Sequence, residues 1–115
     1  MLLDKFSART LHLANRMAMV TLTRTRAMPG HTLNALKAKD CGQRATAGSI
    51  VAEGTPPSPD DLAYPCIPGL YDRAQVDAWK PVTAAMHAPD GNTSSGKILV
   101  QLMHCDAGST SKDIQ

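Results

Sequence analysis

Short apolar runs alternate along this chain with stretches of helical spacing. Thr10-Leu11-His12-Leu13 alternates polar and apolar positions, which predicts a short hairpin strand leading into Asn15-Arg16. Met17-Ala18-Met19-Val20 is an apolar run of the buried kind and predicts a strand over Met17–Thr21. Met28-Pro29-Gly30-His31 carries turn residues. Asn34 to Ala47 then predicts a helix, with Asn34 as its cap and Gly48 as its stop. The apolar face of that helix is thin, and Gly42 inside it costs roughly 1 kcal/mol against alanine. Ser49–Glu53 is a second buried-type strand. Gly54 to Tyr71, with Pro56, Pro57, Pro59, Pro65 and Pro68, is a long loop, and loops of that length in compact domains are usually functional. Asp72-Arg73-Ala74-Gln75 fits a capping box for a helix over 72–88, packed through Val76, Trp79 and Val82, with Met86 a turn further on. Pro81 interrupts that helix at a cost of about 3 kcal/mol if it is interior. Lys97–Leu102 is the third strand, and Asp106 to Gln115 is a polar tail.

Strand, helix, strand, helix, strand is a β/α succession, which implies parallel neighbours joined by right-handed crossovers. Ligands of such sheets gather at the carboxyl ends of the strands. Those ends are Thr21-Leu22-Thr23, Glu53-Gly54-Thr55 and Gln101-Leu102-Met103-His104.

Composition narrows the setting. The chain of 115 residues has room for one small domain. Its large core anchors are few, since Phe6, Tyr64, Tyr71 and Trp79 are all the aromatic residues it has. A net charge of +2 points neither to nucleic acid nor to an anionic membrane as partner. The start lacks the apolar run of a secretory signal and no stretch approaches a membrane span, so the expected compartment is the cytosol. Cys41, Cys66 and Cys105 are odd in number and widely spaced, which indicates neither a disulfide framework nor a metal site. A weaker alternative, a Cys/His metal or redox site around His104-Cys105, has little support from the spacing of the other Cys and His residues.

One stretch mimics a nucleotide-binding loop. Gly91, Gly96 and Lys97 have the spacing of a phosphate-cradling loop, but Ile98 stands where a magnesium-binding hydroxyl belongs. Such a loop also follows a strand and opens a helix, and here the order is reversed. The segment from Gly91 to Lys97 is expected to be an exposed polar turn.

Five blocks in order carry a resemblance. Leu11 to Arg24 is similar to the pattern L-T-x-x-N-R-x-x-M-A-P-L/M-T-R, and Gln43-Arg44-Ala45-Thr46-Ala47-Gly48 running on to Glu53-Gly54-Thr55 is similar to Q-R-A-S/T-A-G-x-x-I-x-E-A/G-T. Pro68-Gly69-Leu70, Gln75-Val76-Asp77-Ala78-Trp79 and Gln101-Leu102-Met103-His104 match a P-G-I/L turn, a Q-V/I-x-x-W helix and a Q-L-W-H strand end. Together they resemble the old yellow enzyme family of FMN-dependent ene-reductases. The resemblance implies an α/β fold, the amino-terminal part (about three β/α units) of a TIM-type (β/α)8 barrel, with residues 1–105 as the partial FMN-binding domain and 106–115 as the tail. It also makes Asn92 to Ser95 a small insertion on the side of the strand remote from chemistry.

By the same resemblance, Thr23 hydrogen-bonds the flavin ring, Gly54 brings backbone close to its edge, and Gln101 binds its pyrimidine side with an amide that donates and accepts. Tyr64 falls where the family lines its substrate cavity. Met103 replaces a tryptophan there and implies a wider pocket. The chain departs from the pattern at Val20-Thr21 (Ala-Pro in the family), Asp40-Cys41 (a Tyr pair) and Cys105-Asp106 (Gly-Arg). A full barrel takes about 250 residues. The family's substrate-binding His/Asn or His/His pair, its proton-donor tyrosine and its phosphate-binding basic residues have no counterpart in these 115 residues. No catalytic residue is assigned. His104 is expected to be a hydrogen-bonded structural histidine, and Glu53 a strand-end carboxylate paired with a nearby arginine.

Two functions follow as expectations. One is an FMN oxidoreductase, with NAD(P)H as reductant and an activated alkene as substrate, whose flavin is held weakly or not at all by this chain alone. The other is a non-catalytic chain that self-associates through unpaired strand edges.

Overall fold

The computed structural model describes residues 1–87 and 96–105. Its elements are β1 (Phe6–Ala8), β2 (Leu11–Leu13), β3 (Ala18–Met19), α1 (Ala35–Gly42), β4 (Ser49–Thr55), a 3-10 turn (Pro59–Asp61), α2 (Arg73–His87) and β5 (Lys97–Leu102). The tail from Asp106 to Gln115 lies outside the described residues, as does the greater part of the glycine-serine stretch, 91–95.

β3, β4 and β5 form one parallel sheet in that order, as the β/α succession requires. β1 and β2 form a separate antiparallel hairpin, pairing Phe6 with Leu13 and Ala8 with Leu11. Arg16 lies over the Phe6 ring, 5.8 Å from its centroid. The β3 ladder is shorter than the apolar run Met17–Thr21, because beyond Met19 the chain leaves regular pairing and follows β4 through side chains instead. In the β4–β5 ladder Ile50 faces Ile98 and Val51 faces Leu99, then the register shifts, so that Gly54 faces Gln101. Ala52 and Glu53 thus oppose the single residue Val100, a β-bulge of the kind that re-aims side chains near binding sites.

Asn34 caps α1 as expected, its Oδ1 accepting from the amides of Leu36 and Lys37. The helix ends at Gly42, not Ala47, and the chain continues in turns. Those turns carry Ala45 into the core, where its carbonyl sits against Gly96. Gly48 is therefore not a helix stop. A Cβ there would lie 2.1 Å from the Asn15 carbonyl oxygen, so only glycine admits the approach of the Asn15 turn to β4. The Asn15 side chain completes this junction, accepting from the amides of Met17 and Gly48 and donating to the carbonyl of Thr46.

The capping box of α2 is formed reciprocally. The Gln75 amide N–H donates to Asp72 Oδ1 at 2.8 Å, and Gln75 Oε1 accepts from the amides of Asp72 and Tyr71. Gln75 is buried, and its Nε2 donates to the Gly30 carbonyl, which fastens the Met28–His31 turn to the helix. α2 continues through Pro81 without interruption. It packs on α1 and β5 through Trp79, Val82 and Met86, whereas Val76, expected in that contact, is 40% exposed on the outer face. Trp79 Nε1 donates to the Gly69 carbonyl at 3.1 Å. Ile50, Ala52, Cys41 and Ala45 fill the space between helices and sheet. Gly96, expected in an exposed turn, is buried against Ala45 and Met86, and Lys97 is half-buried at the start of β5.

Candidate functional site

The carboxyl end of the sheet is built from three strand exits. After β3, Thr21 Oγ1 donates to the Ala52 carbonyl at 3.2 Å and the Arg24 N–H donates to Glu53 Oε2 at 3.1 Å. These two bonds lay residues 21–24 alongside the end of β4, bringing Thr23 to the level of Glu53 and Gly54. The bulge in β4 sets Gly54 opposite Gln101 on β5. Thr23, Gly54 and Gln101 therefore stand on three adjacent strand exits at one end of the sheet. The side chains of Thr23 and Gln101 are exposed there, and Gly54 between them is buried.

Met103 follows β5, its N–H donating to the Thr55 carbonyl at 3.1 Å. A Cβ on Gly54 would lie 2.8 Å from Met103 Sδ, so the thioether rests directly on Gly54. The structure thus brings Met103 into the Thr23–Gly54–Gln101 group. Tyr64 stands apart in the long loop, 50% exposed.

Glu53 is paired, but not as expected. Its Oε1 is 2.9 Å from Lys37 Nζ, with both side chains nearly sequestered from water, and its partner in the arginine segment is a backbone amide. This buried pair ties the end of β4 to α1. Beside it Asp40 accepts from Arg44 at 2.7 Å and lies 3.8 Å from Arg24, while Asp40 Oδ2 is buried without a hydrogen-bond partner among the described residues. Cys41 lies behind this network, where burial pushes its thiol pKa up against the opposing pull of Lys37. His104, at the far end of β5, pairs through Nδ1 with Asp61, a buried carboxylate that also accepts from the Ser58 hydroxyl at 2.7 Å. The histidine thus has a carboxylate partner, while its side chain is 78% exposed. Its partner in the 3-10 turn carries no periodic signal in the sequence. The Lys37–Glu53 pair is equally hidden there, because its members lie on different elements.

The family described as NADH:flavin oxidoreductase / NADH oxidase matches the chain over residues 4–114. The chain belongs to this family. It is 39% identical over 87 residues to a putative 12-oxophytodienoate reductase 2 of Oryza sativa subsp. japonica, covering 75% of this chain and 23% of the relative. It is 35% identical over 79 residues to a probable flavin mononucleotide-dependent alkene reductase of Leishmania infantum, covering 69% and 22%. Among solved structures, the old yellow enzyme homologue from Zymomonas mobilis superposes with a TM-score of 0.81 at 38% identity over 90% of this chain and 28% of that one. Morphinone reductase superposes at 0.80 and 38% over 90% and 26%. The chain therefore spans about a quarter of the length of these relatives. The three-stranded parallel sheet is the corresponding portion of a TIM-type old yellow enzyme barrel. In the family's terms, the Asn-Arg block and the Ala-Gly block meet through the Asn15 side chain, and the Glu-Gly-Thr and Gln-Leu blocks meet at the Gly54–Gln101 pair.

Proposed function

We propose that this chain forms one wall of the flavin site of an FMN-dependent ene-reductase. The supporting observation is the strand-end group itself: an exposed threonine in the segment after β3 and an exposed glutamine on β5 flank a buried glycine on β4 at one end of the sheet. That donor and acceptor set suits the alternating polar edge of a flavin. When bound, FMN reduced by NAD(P)H supplies the hydride that adds to an activated alkene.

The residues of this chain bind and orient. Thr23 donates its hydroxyl hydrogen to a ring oxygen. Gln101 donates and accepts at the pyrimidine edge, which its amide can do simultaneously. Gly54 keeps the strand exit low between them. Met103, lying on Gly54, supplies apolar surface on the substrate side, and the family resemblance assigns Tyr64, on the long loop, to that side as well. Glu53 holds the Thr23–Arg24 segment in place through the Arg24 amide.

The test is flavin absorbance after desalting. The 115-residue chain is expected to retain little FMN, because one wall leaves the ring open to water. Joining it to the remaining strands of a related enzyme should give a yellow, flavin-loaded protein, and Gln101→Leu in that chimera should weaken binding by leaving flavin polar atoms unpaired. A folded chimera that stays colourless, or one in which Gln101→Leu retains flavin fully, overturns the reading.

A second reading is favoured by the sheet edges. Leu99 and Leu102 on β5 are 46% and 64% exposed, and Val20 and Leu22 beyond β3 are 69% and 43% exposed. Outer strands with such side chains pair readily with further strands. The isolated chain is therefore expected to self-associate, and sedimentation that shows a monomer at all concentrations refutes this.

A further inference from the structure

Between the segment Arg24–Ala27 and α1 lies a cavity of about 380 Å³ that Glu53 also lines. Its walls carry Arg24, Arg26, Lys37, Lys39 and Arg44 against two carboxylates, Asp40 and Glu53, which leaves three positive charges in excess. The carboxylates are already committed. Glu53 takes Lys37, and Asp40 takes Arg44 with Arg24 at longer range. Arg26 and Lys39 belong to none of these pairs, and both are exposed where they line the cavity. The lining is not uniformly polar, since Ala27, Leu33 and Leu36 give it an apolar part.

We propose that this cavity binds a small phosphate monoester with an apolar or aromatic body. Two cations without an ion pair among the described residues match a dianion, whereas a carboxylate would neutralise only one. The guanidinium of Arg26 offers paired N–H donors to phosphate oxygens, and Lys39 adds a point charge. The apolar lining residues Ala27, Leu33 and Leu36 take the body of the ester. The capping amides of α1 take no part, because Asn34 Oδ1 already occupies those of Leu36 and Lys37. The position is the carboxyl end of β3 and β4, where β/α sheets place their ligands. It lies on the α1 side of Glu53, apart from the Gly54–Gln101 group, so the proposal stands independently of flavin.

Calorimetric titration of the 115-residue chain with phenyl phosphate, inorganic phosphate and phenol tests it. Phenyl phosphate should bind saturably at one site, more tightly than inorganic phosphate, and phenol should give no saturable heat. Added salt should weaken the binding. Arg26→Gln and Lys39→Gln should each weaken phenyl phosphate by about tenfold, the loss of one charge-assisted hydrogen bond. Neither replacement breaks an observed ion pair, so the thermal transition should not move. Arg26→Lys, which keeps the charge but not the paired N–H donors, should bind phenyl phosphate more tightly than Arg26→Gln and less tightly than the native chain. Lys80→Gln, on the outer face of α2, should change nothing. Absence of saturable phenyl phosphate binding by the native chain, or an equal loss in Lys80→Gln, overturns the proposal.

Discussion

Lys37→Met isolates the contact on which the strand-end geometry depends. Glu53 is 3% exposed at its side chain and Lys37 is 10%, with 2.9 Å between Nζ and Oε1. Removing one member of a buried pair leaves the other charge uncompensated, at a cost of about 3–5 kcal/mol. One hydrogen bond remains to Glu53, from the Arg24 amide, so the lower half of that range applies, about 3–4 kcal/mol. For a domain of this size the loss lowers Tm by roughly 15–20 °C. Glu53→Gln on the same background removes the stranded charge while its amide oxygen still accepts from Arg24. The double variant should therefore recover more than half of the loss, and the cycle should report a coupling of about 2 kcal/mol. Urea unfolding followed by Trp79 fluorescence measures this, because Trp79 is the chain's one tryptophan and lies in the core. If Lys37→Met falls within 1 kcal/mol of the native chain by the linear extrapolation, or the two losses simply add, the pair does not hold the end of β4 and the argument fails.

Two further outcomes follow from the helices and thiols. Pro81 is exposed, ninth of the fifteen residues of α2, and lacks the N–H that would reach the Asp77 carbonyl; Pro81→Ala should raise stability by about 2 kcal/mol once the gain in unfolded-chain entropy is subtracted, and an unchanged or lower Tm refutes it. Maleimide labelling at neutral pH followed by mass spectrometry should modify exposed Cys66 first, half-buried Cys105 next and Cys41 last, since Cys41 is buried and burial keeps it in the thiol form. Labelling of Cys41 as fast as Cys66 contradicts the packing described for α1.

What the sequence revealed and what it hid divide along a physical line. Signals complete within one turn or one helix were legible: the Asn34 cap, the Asp72–Gln75 box and the Trp79–Val82–Met86 stripe all appear where local chemistry places them. Signals that depend on a distant partner were not. Helix α1 ends five residues early because Ala45 is drawn into the core beneath Gly96, an approach across half the chain. Val76 has the spacing of a core residue, yet the apolar stripe of α2 is narrow and centres on Trp79, Val82 and Met86, leaving Val76 outside.

The bulge at Ala52–Glu53 is the sharpest case. Continuing the register of Val51 with Leu99 would set Gly54 opposite Leu102, and no alternation of apolar and polar positions reveals that Gly54 meets Gln101 instead. The recurrent blocks nevertheless pointed to both residues, and the contacts explain why. Asn15 in the first block holds Gly48 in the second, Glu53 in the second holds Arg24 in the first, and Gly54 in the second faces Gln101 in the last. Each block is one side of a contact whose other side is a second block. A pattern that spans the blocks therefore encodes the strand-end geometry even where hydrophobic periodicity within any single block is blind to it.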